Sequence, residues 1–128
     1  MLVRATTLCA CGGRRLIRDR DLAPARARRR AARRGGAEVI DVREASEWEV
    51  GHVGGARHIE FDHVSAQADT VDKGKPVVFQ CRGGSRSEMI AAAFRGSGWD
   101  AYNMDGGLRA WQERELPLEP EGGRIEGA

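Results

Sequence analysis

The sequence predicts an α/β fold, a parallel sheet of about four or five strands with helices on both faces. Short β-branched and aromatic runs alternate with stretches of helical periodicity, the pattern of strand–helix–strand units. The most apolar run, Val77-Val78-Phe79 between Pro76 and Gln80, shows no polar alternation, as expected of a strand covered on both faces. With 128 residues, the chain has room for one domain and a modest core.

Residues 1–18 show no periodic pattern and are expected to form a disordered arm, with the domain running over 19–120. Asp21-Leu22-Ala23-Pro24, an Ala/Arg run to Arg34 and then Gly35-Gly36 carry the start and stop signals of a first helix. Glu38 to Val42 predicts the first core strand. Asp41 and Arg43 follow at its carboxyl end, where open parallel sheets place their crevices. A short helix over Glu44–Val50 should turn Trp48 inward, and Arg57–Ile59 suggests a brief strand. Phe61–Ala68 reads as a helix or turn. After the strand at 76–80, Ser85-x-x-Glu88 has capping-box spacing, with Met89, Ile90, Ala93 and Phe94 on one helical face and Gly96-Ser97-Gly98 as the stop. Trp99–Met104 predicts another strand, Asp105-Gly106-Gly107 a turn, and Leu108–Arg114 a closing helix with Trp111 buried. The tail, 121–128, is glycine-rich and expected to fray.

Charge is divided unevenly. The first 36 residues carry eleven arginines against Asp19 and Asp21, a balance of +9, which leaves −7 for the remainder of a chain totalling +2. An arm of this kind can grip an acidic partner, but no aromatic residue interleaves the arginines to stack on bases, which argues against nucleic acid. No stretch approaches the ~20 apolar residues of a membrane span. Cys9-Ala10-Cys11 lies in the arm. Those two thiols lack the further ligands a structural metal site needs, and they read as incidental. Three cysteines do not make a disulfide scaffold, so the expected setting is reducing and cytoplasmic.

The candidate site is Cys81-Arg82-Gly83-Gly84-Ser85-Arg86-Ser87, set between the strand and helix signals. A thiol at a strand end, facing the amides of a following helix, sits in an anion cradle. Such settings, aided here by Arg82 and Arg86, lower a cysteine from about 8.5 into the range ~3.5–7.5 and favour thiolate. Gly83 and Gly84 give the backbone freedom for positive φ.

The loop resembles the active-site loop of the rhodanese (thiosulfate sulfurtransferase) family. Val39-Ile40-Asp41-Val42-Arg43-Glu44, Glu47-Trp48 and Gly51-His52-Val53-Gly54-Gly55-Ala56 are similar to that family's first signature, and Asp105-Gly106-Gly107-Leu108-x-x-Trp111 to its last. The resemblance implies a single rhodanese-like domain that moves a sulfane sulfur from thiosulfate or a persulfide donor to cyanide or a thiol, a protein thiol included. Cys81 would carry the sulfur as a persulfide, Arg82 through Ser87 would hold the substrate, and Asp41, Arg43 and Glu47 would support the site. It implies no cofactor and no metal. His52 would be structural.

Two other readings compete. A non-catalytic rhodanese-like binding module would use the fold or the arm without the thiol. A cysteine-dependent phosphatase would resemble Cys-x5-Arg, whereas Cys81 and Arg86 here make Cys-x4-Arg, a shorter loop suited to sulfur. Glu47 stands where two-domain relatives tend to place a substrate-binding arginine, which bears on which donor is used.

Overall fold

The computed structural model describes residues 20–33 and 35–125. Five strands, β1 (Asp21–Leu22), β2 (Glu38–Asp41), β3 (Arg57–His58), β4 (Val77–Gln80) and β5 (Ala101–Met104), form one sheet in the order β1-β5-β4-β2-β3. Every pairing is parallel. Among the described residues, α1 (Pro24–Ala32), α2 (Ala45–Val50) and α3 (Ser85–Gly96) link strands, and α4 (Gly107–Glu113) follows β5. The crossover from β3 to β4 is made of two 3₁₀ turns, Phe61–His63 and Ser65–Thr70.

The pleat decides which core each residue joins, because successive strand side chains point to opposite faces. On β4, Val77 and Phe79 face one core with Ile40, Val42, Ala91 and Phe94, while Val78 faces the other with Val39, Met104, Leu108 and Trp111. All four residues of β4 are buried, which explains the unbroken apolar run. Cys81 continues the Val77–Phe79 side of the pleat and lies in the first core.

Three expectations need correction. Asp21 and Leu22 form the edge strand β1, in register with Asn103 and Met104, rather than the start of a helix. Leu22 is buried there, and α1 begins at Pro24, whose ring fits a first turn with no donor to lose. Trp99 precedes β5 instead of opening it. Its ring lies 4.6 Å from Phe94 and its indole N–H donates to the Val71 carbonyl at 3.0 Å. The tail is tied down as far as Ile125, which is buried and whose N–H donates to Gln112 Oε1 at 2.7 Å. The expected arm, 1–18, with Cys9 and Cys11, lies outside the described residues. No helix among the described residues is long and apolar enough to cross a membrane.

Candidate active site

Parallel register brings the carboxyl ends of β2 and β4 side by side, and the Val42 N–H donates to the Gln80 carbonyl at 2.9 Å across them. The chain then turns from β4 into α3 through residues 81–84. Gly84 makes that turn at φ +105°, a left-handed conformation that a side chain would strain. Its N–H donates to Cys81 Sγ at 3.1 Å. Ser87, in the first turn of α3, brings Oγ to 3.4 Å from the same sulfur, 3.2 Å from the Gly84 carbonyl and 2.6 Å from Asn103 Oδ1. The sulfur is thus bonded by a backbone donor and faced by a hydroxyl, at the amino end of a helix whose dipole favours negative charge.

Arg86 leans across the mouth of this loop to Glu47 of α2, Nη1 to Oε1 at 3.2 Å and Nη2 to Oε2 at 3.5 Å. Burial works against the charge on each partner. At Arg86 the bond and charge of Glu47, with the adjacent Cys81 side chain, outweigh burial and hold the guanidinium above its ordinary range. At Glu47 the same pairing, the Glu44 backbone and the Arg43 charge hold the carboxyl below its ordinary value. Glu47 also closes a reciprocal capping box with Glu44 at the start of α2.

Beneath the loop lies a fully buried ion pair. Arg43 donates from Nη2 to Asp41 Oδ2 at 2.8 Å and from Nε to Oδ1 at 3.0 Å, and Nη2 reaches the Gly51 carbonyl at 2.8 Å. The Arg43 carbonyl meets His58 Nε2 at 2.7 Å, and the Trp48 ring is stacked between His52 and His58. From the other side, α4 presses its first amides on the loop: Leu108 N–H donates to the Cys81 carbonyl at 2.8 Å and Arg109 N–H to that of Arg82 at 2.9 Å. Only a glycine fits at 107, since a Cβ there would come within 2.5 Å of the Arg82 oxygen.

A sequence profile of the Rhodanese-like domain family matches residues 24–114. The chain belongs to the rhodanese-like family. It is 35% identical over 106 residues to the thiosulfate sulfurtransferase GlpE of Pseudomonas aeruginosa, covering 82% of this chain and 94% of that one. The Pseudomonas putida protein of the same description is 34% identical over 92 residues, covering 71% and 83%. Among solved structures, a rhodanese-related protein of Thermoplasma volcanium superposes with a TM-score of 0.71 at 21% identity, covering 77% of this chain and 96% of its own. A rhodanese-like domain protein of Staphylococcus aureus gives 0.68 at 23%, covering 84% and 99%. These two likenesses bear on the fold alone.

Not every residue expected at the site of this rhodanese-like domain reaches the sulfur. Gly84, Ser87 and Arg86 gather at Cys81; Arg82 joins the fold through its carbonyl, and Gly83 does not take positive φ. Ser85 is not a cap. The N-cap is Gly84, with no side-chain bond, so Ser85 is already the first helical residue and Glu88 falls one position past the box. Trp48, expected inward, is half-buried in its histidine stack. Asn103 was not legible as a site residue. The available signal was a lone carboxamide in the middle of an apolar strand, where asparagine is disfavoured.

Cys81 itself is fully buried. A cavity of about 740 Å³ is lined by α1 residues, Val53 and Trp111 on the other side of the sheet. A smaller depression of about 260 Å³ borders Arg86, Glu44 and Phe61. Of the two, the small one has the chemistry, because Arg86 connects it to the sulfur. Among the described residues no group of three or more His, Cys, Asp or Glu side chains is placed to hold a metal.

Proposed function

We propose that this domain is a sulfurtransferase that passes a sulfane sulfur through a persulfide on Cys81. The observation that carries the reading is Cys81 Sγ accepting the Gly84 N–H at 3.1 Å at the start of α3. That donor and the helix end favour negative charge on the sulfur and on the anion that departs. In the first step the Cys81 thiolate attacks the outer sulfur of thiosulfate or a persulfide. A sulfur–sulfur bond forms to Cys81 as the donor's own sulfur–sulfur bond breaks, and sulfite or the donor thiolate leaves with the electron pair. In the second step a thiol, as thiolate, or cyanide attacks the outer sulfur and the Cys81 thiolate is released. Covalent transfer in two steps replaces a direct encounter of two anions. The balance closes without an oxidant or reductant.

Similarity to thiosulfate sulfurtransferases supports the reaction class. The Glu47–Arg86 pair supports a persulfide donor over free thiosulfate, because a carboxylate already occupies the cation that a dianion would seek. A thiol that must stay reduced fits a cytoplasmic setting. Mass spectrometry of the intact protein after incubation with thiosulfate or glutathione persulfide tests the reading. The expected result is a gain of one sulfur atom that cyanide removes and Cys81→Ser lacks.

One observation favours a second reading. Full burial of Cys81 is what an inert core cysteine shows, and a non-catalytic binding module would keep it so. The same spectrum separates the two, since a binding module acquires no sulfur from either donor.

A further inference from the structure

We infer that Asn103 is a positioning residue for Cys81, acting through Ser87: its carboxamide sets which way the Ser87 hydroxyl proton points as the sulfur changes charge. The inference rests on the sulfurtransferase reading, since only a sulfur that alternates between neutral and anionic forms needs such a partner. Asn103 is 2% exposed and sits in β5, flanked by β4 and β1, so the sheet fixes its backbone. A purely apolar residue would suit that place better unless the amide is bonded. The partner it takes is the hydroxyl that contacts the sulfur, at 2.6 Å.

Ser87 has one proton and three acceptors within reach: Cys81 Sγ, the Gly84 carbonyl and Asn103 Oδ1. When the sulfur is a neutral thiol, its own proton can go to Ser87 Oγ, and the hydroxyl proton goes on to Asn103 Oδ1. When the sulfur is an anion, as thiolate or persulfide, it becomes the strongest acceptor present and draws the hydroxyl proton to itself. Ser87 Oγ then needs a donor, and rotation of the Asn103 carboxamide supplies Nδ2–H in the place Oδ1 held. Asparagine alone among residues of this shape offers both a donor and an acceptor at one site. Aspartate can only accept, and would hold the Ser87 proton away from the sulfur. Leucine does neither. The charges facing the loop from elsewhere are Arg86, which pairs with Glu47 and also interacts with the Cys81 side chain, and the buried Arg43–Asp41 pair; all four groups are retained in every variant below.

The test is the pH profile of Cys81 alkylation by iodoacetamide, read on the Cys81 peptide by mass spectrometry so that Cys9 and Cys11 do not contribute. It is run on the full chain, on Asn103→Asp, Asn103→Leu and Ser87→Ala, and on the Ser87→Ala/Asn103→Leu pair. Near-isosteric Asn103→Asp is the variant to rely on if the leucine variant fails to fold. The midpoint should move up by about one pH unit or more in Asn103→Asp and by about half a unit in Asn103→Leu, in keeping with the effect of lost hydrogen bonds to a charged form. In the Ser87→Ala background the leucine exchange should move it no further, because the route to the sulfur is gone. A merely structural role would lower the unfolding temperature and leave the midpoint in place. An unmoved midpoint in Asn103→Asp, or a leucine shift that persists without the Ser87 hydroxyl, overturns the inference even while persulfide still forms. Absence of persulfide in the unaltered chain would instead sink the sulfurtransferase reading, with the alkylation profile still deciding for or against Asn103.

Discussion

Exchanging Glu47 for glutamine isolates the effect of one carboxylate on donor choice. Glu47 holds Arg86 at 3.2 Å with only 18% of its own side chain exposed, against 34% for the arginine. A dianionic donor must therefore compete for that cation or do without it. Glutamine keeps the shape and one acceptor but gives up the charge. A hydrogen bond from a charged donor contributes about 1.5–3 kcal/mol. The remaining amide contact and solvent screening at a third-exposed arginine reduce the gain to about 1 kcal/mol, or about fivefold in affinity. The expectation is a KM for thiosulfate about fivefold lower in Glu47→Gln, with little change for glutathione persulfide, whose charge is spread over a larger molecule. Steady-state assays with both donors, with cyanide as acceptor, measure it, and circular dichroism confirms that the fold is kept. An unchanged or higher KM for thiosulfate in a folded variant would refute the claim that Glu47 restrains the use of Arg86.

Three further outcomes follow from the same geometry. Arg43→Met leaves the fully buried Asp41 carboxyl without the guanidinium that pairs with it, and urea unfolding should show a loss of about 3–5 kcal/mol. Gly107→Ala combines positive φ with a Cβ driven to within 2.5 Å of the Arg82 carbonyl, so the loop under α4 must shift. The expected cost is about 2–5 kcal/mol, with persulfide formation reduced alongside it. Because folding lowers the Glu47 carboxyl below its ordinary 4.5, the Glu47–Arg86 pair stabilises the fold above that pH and is lost as pH falls through the lowered value. The difference in urea midpoint between the unaltered chain and Glu47→Gln should accordingly be present at neutral pH and disappear in acid.

What the sequence made legible was the part set by local rules. Unbroken apolar character marks β4 because both of its faces are covered, and glycine marks the turn at 84 because its φ of +105° strains any side chain. What it hid was set by partners far along the chain. Asp21 and Leu22 look like the entrance to a helix until β5 offers them a parallel neighbour, and a two-residue strand leaves no periodic trace. Ser85-x-x-Glu88 has the right spacing for a capping box, but a left-handed Gly84 takes the cap position first and moves the frame by one residue. The working box is formed by Glu44 and Glu47, a pair of glutamates that the Ser/Thr-based signature does not include. Asn103 meets Ser87 across sixteen residues of sequence, and no spacing rule joins them.

The burial of Cys81 and its proposed reactivity have one origin. The pleat of β4 directs residues 77, 79 and 81 to the same side, so the sulfur enters the core beside Phe79, and the turn into α3 then lays its polar donors over it. What covers the sulfur is thus the loop itself, whose Gly83 and Ser85 are exposed, while β4 and β5 hold the base from below. A reagent can reach the buried sulfur only by displacing residues 82–85, since the sheet closes the other side. Alkylation of the Cys81 peptide should therefore fall steeply with reagent size, with iodoacetamide reacting at least about tenfold faster, relative to a free thiol, than a bulky aryl maleimide. The thiolate fraction is common to both reagents, so their ratio reads access alone. Equal relative rates would mean that the sulfur stands open in solution and that loop displacement has no part in the transfer.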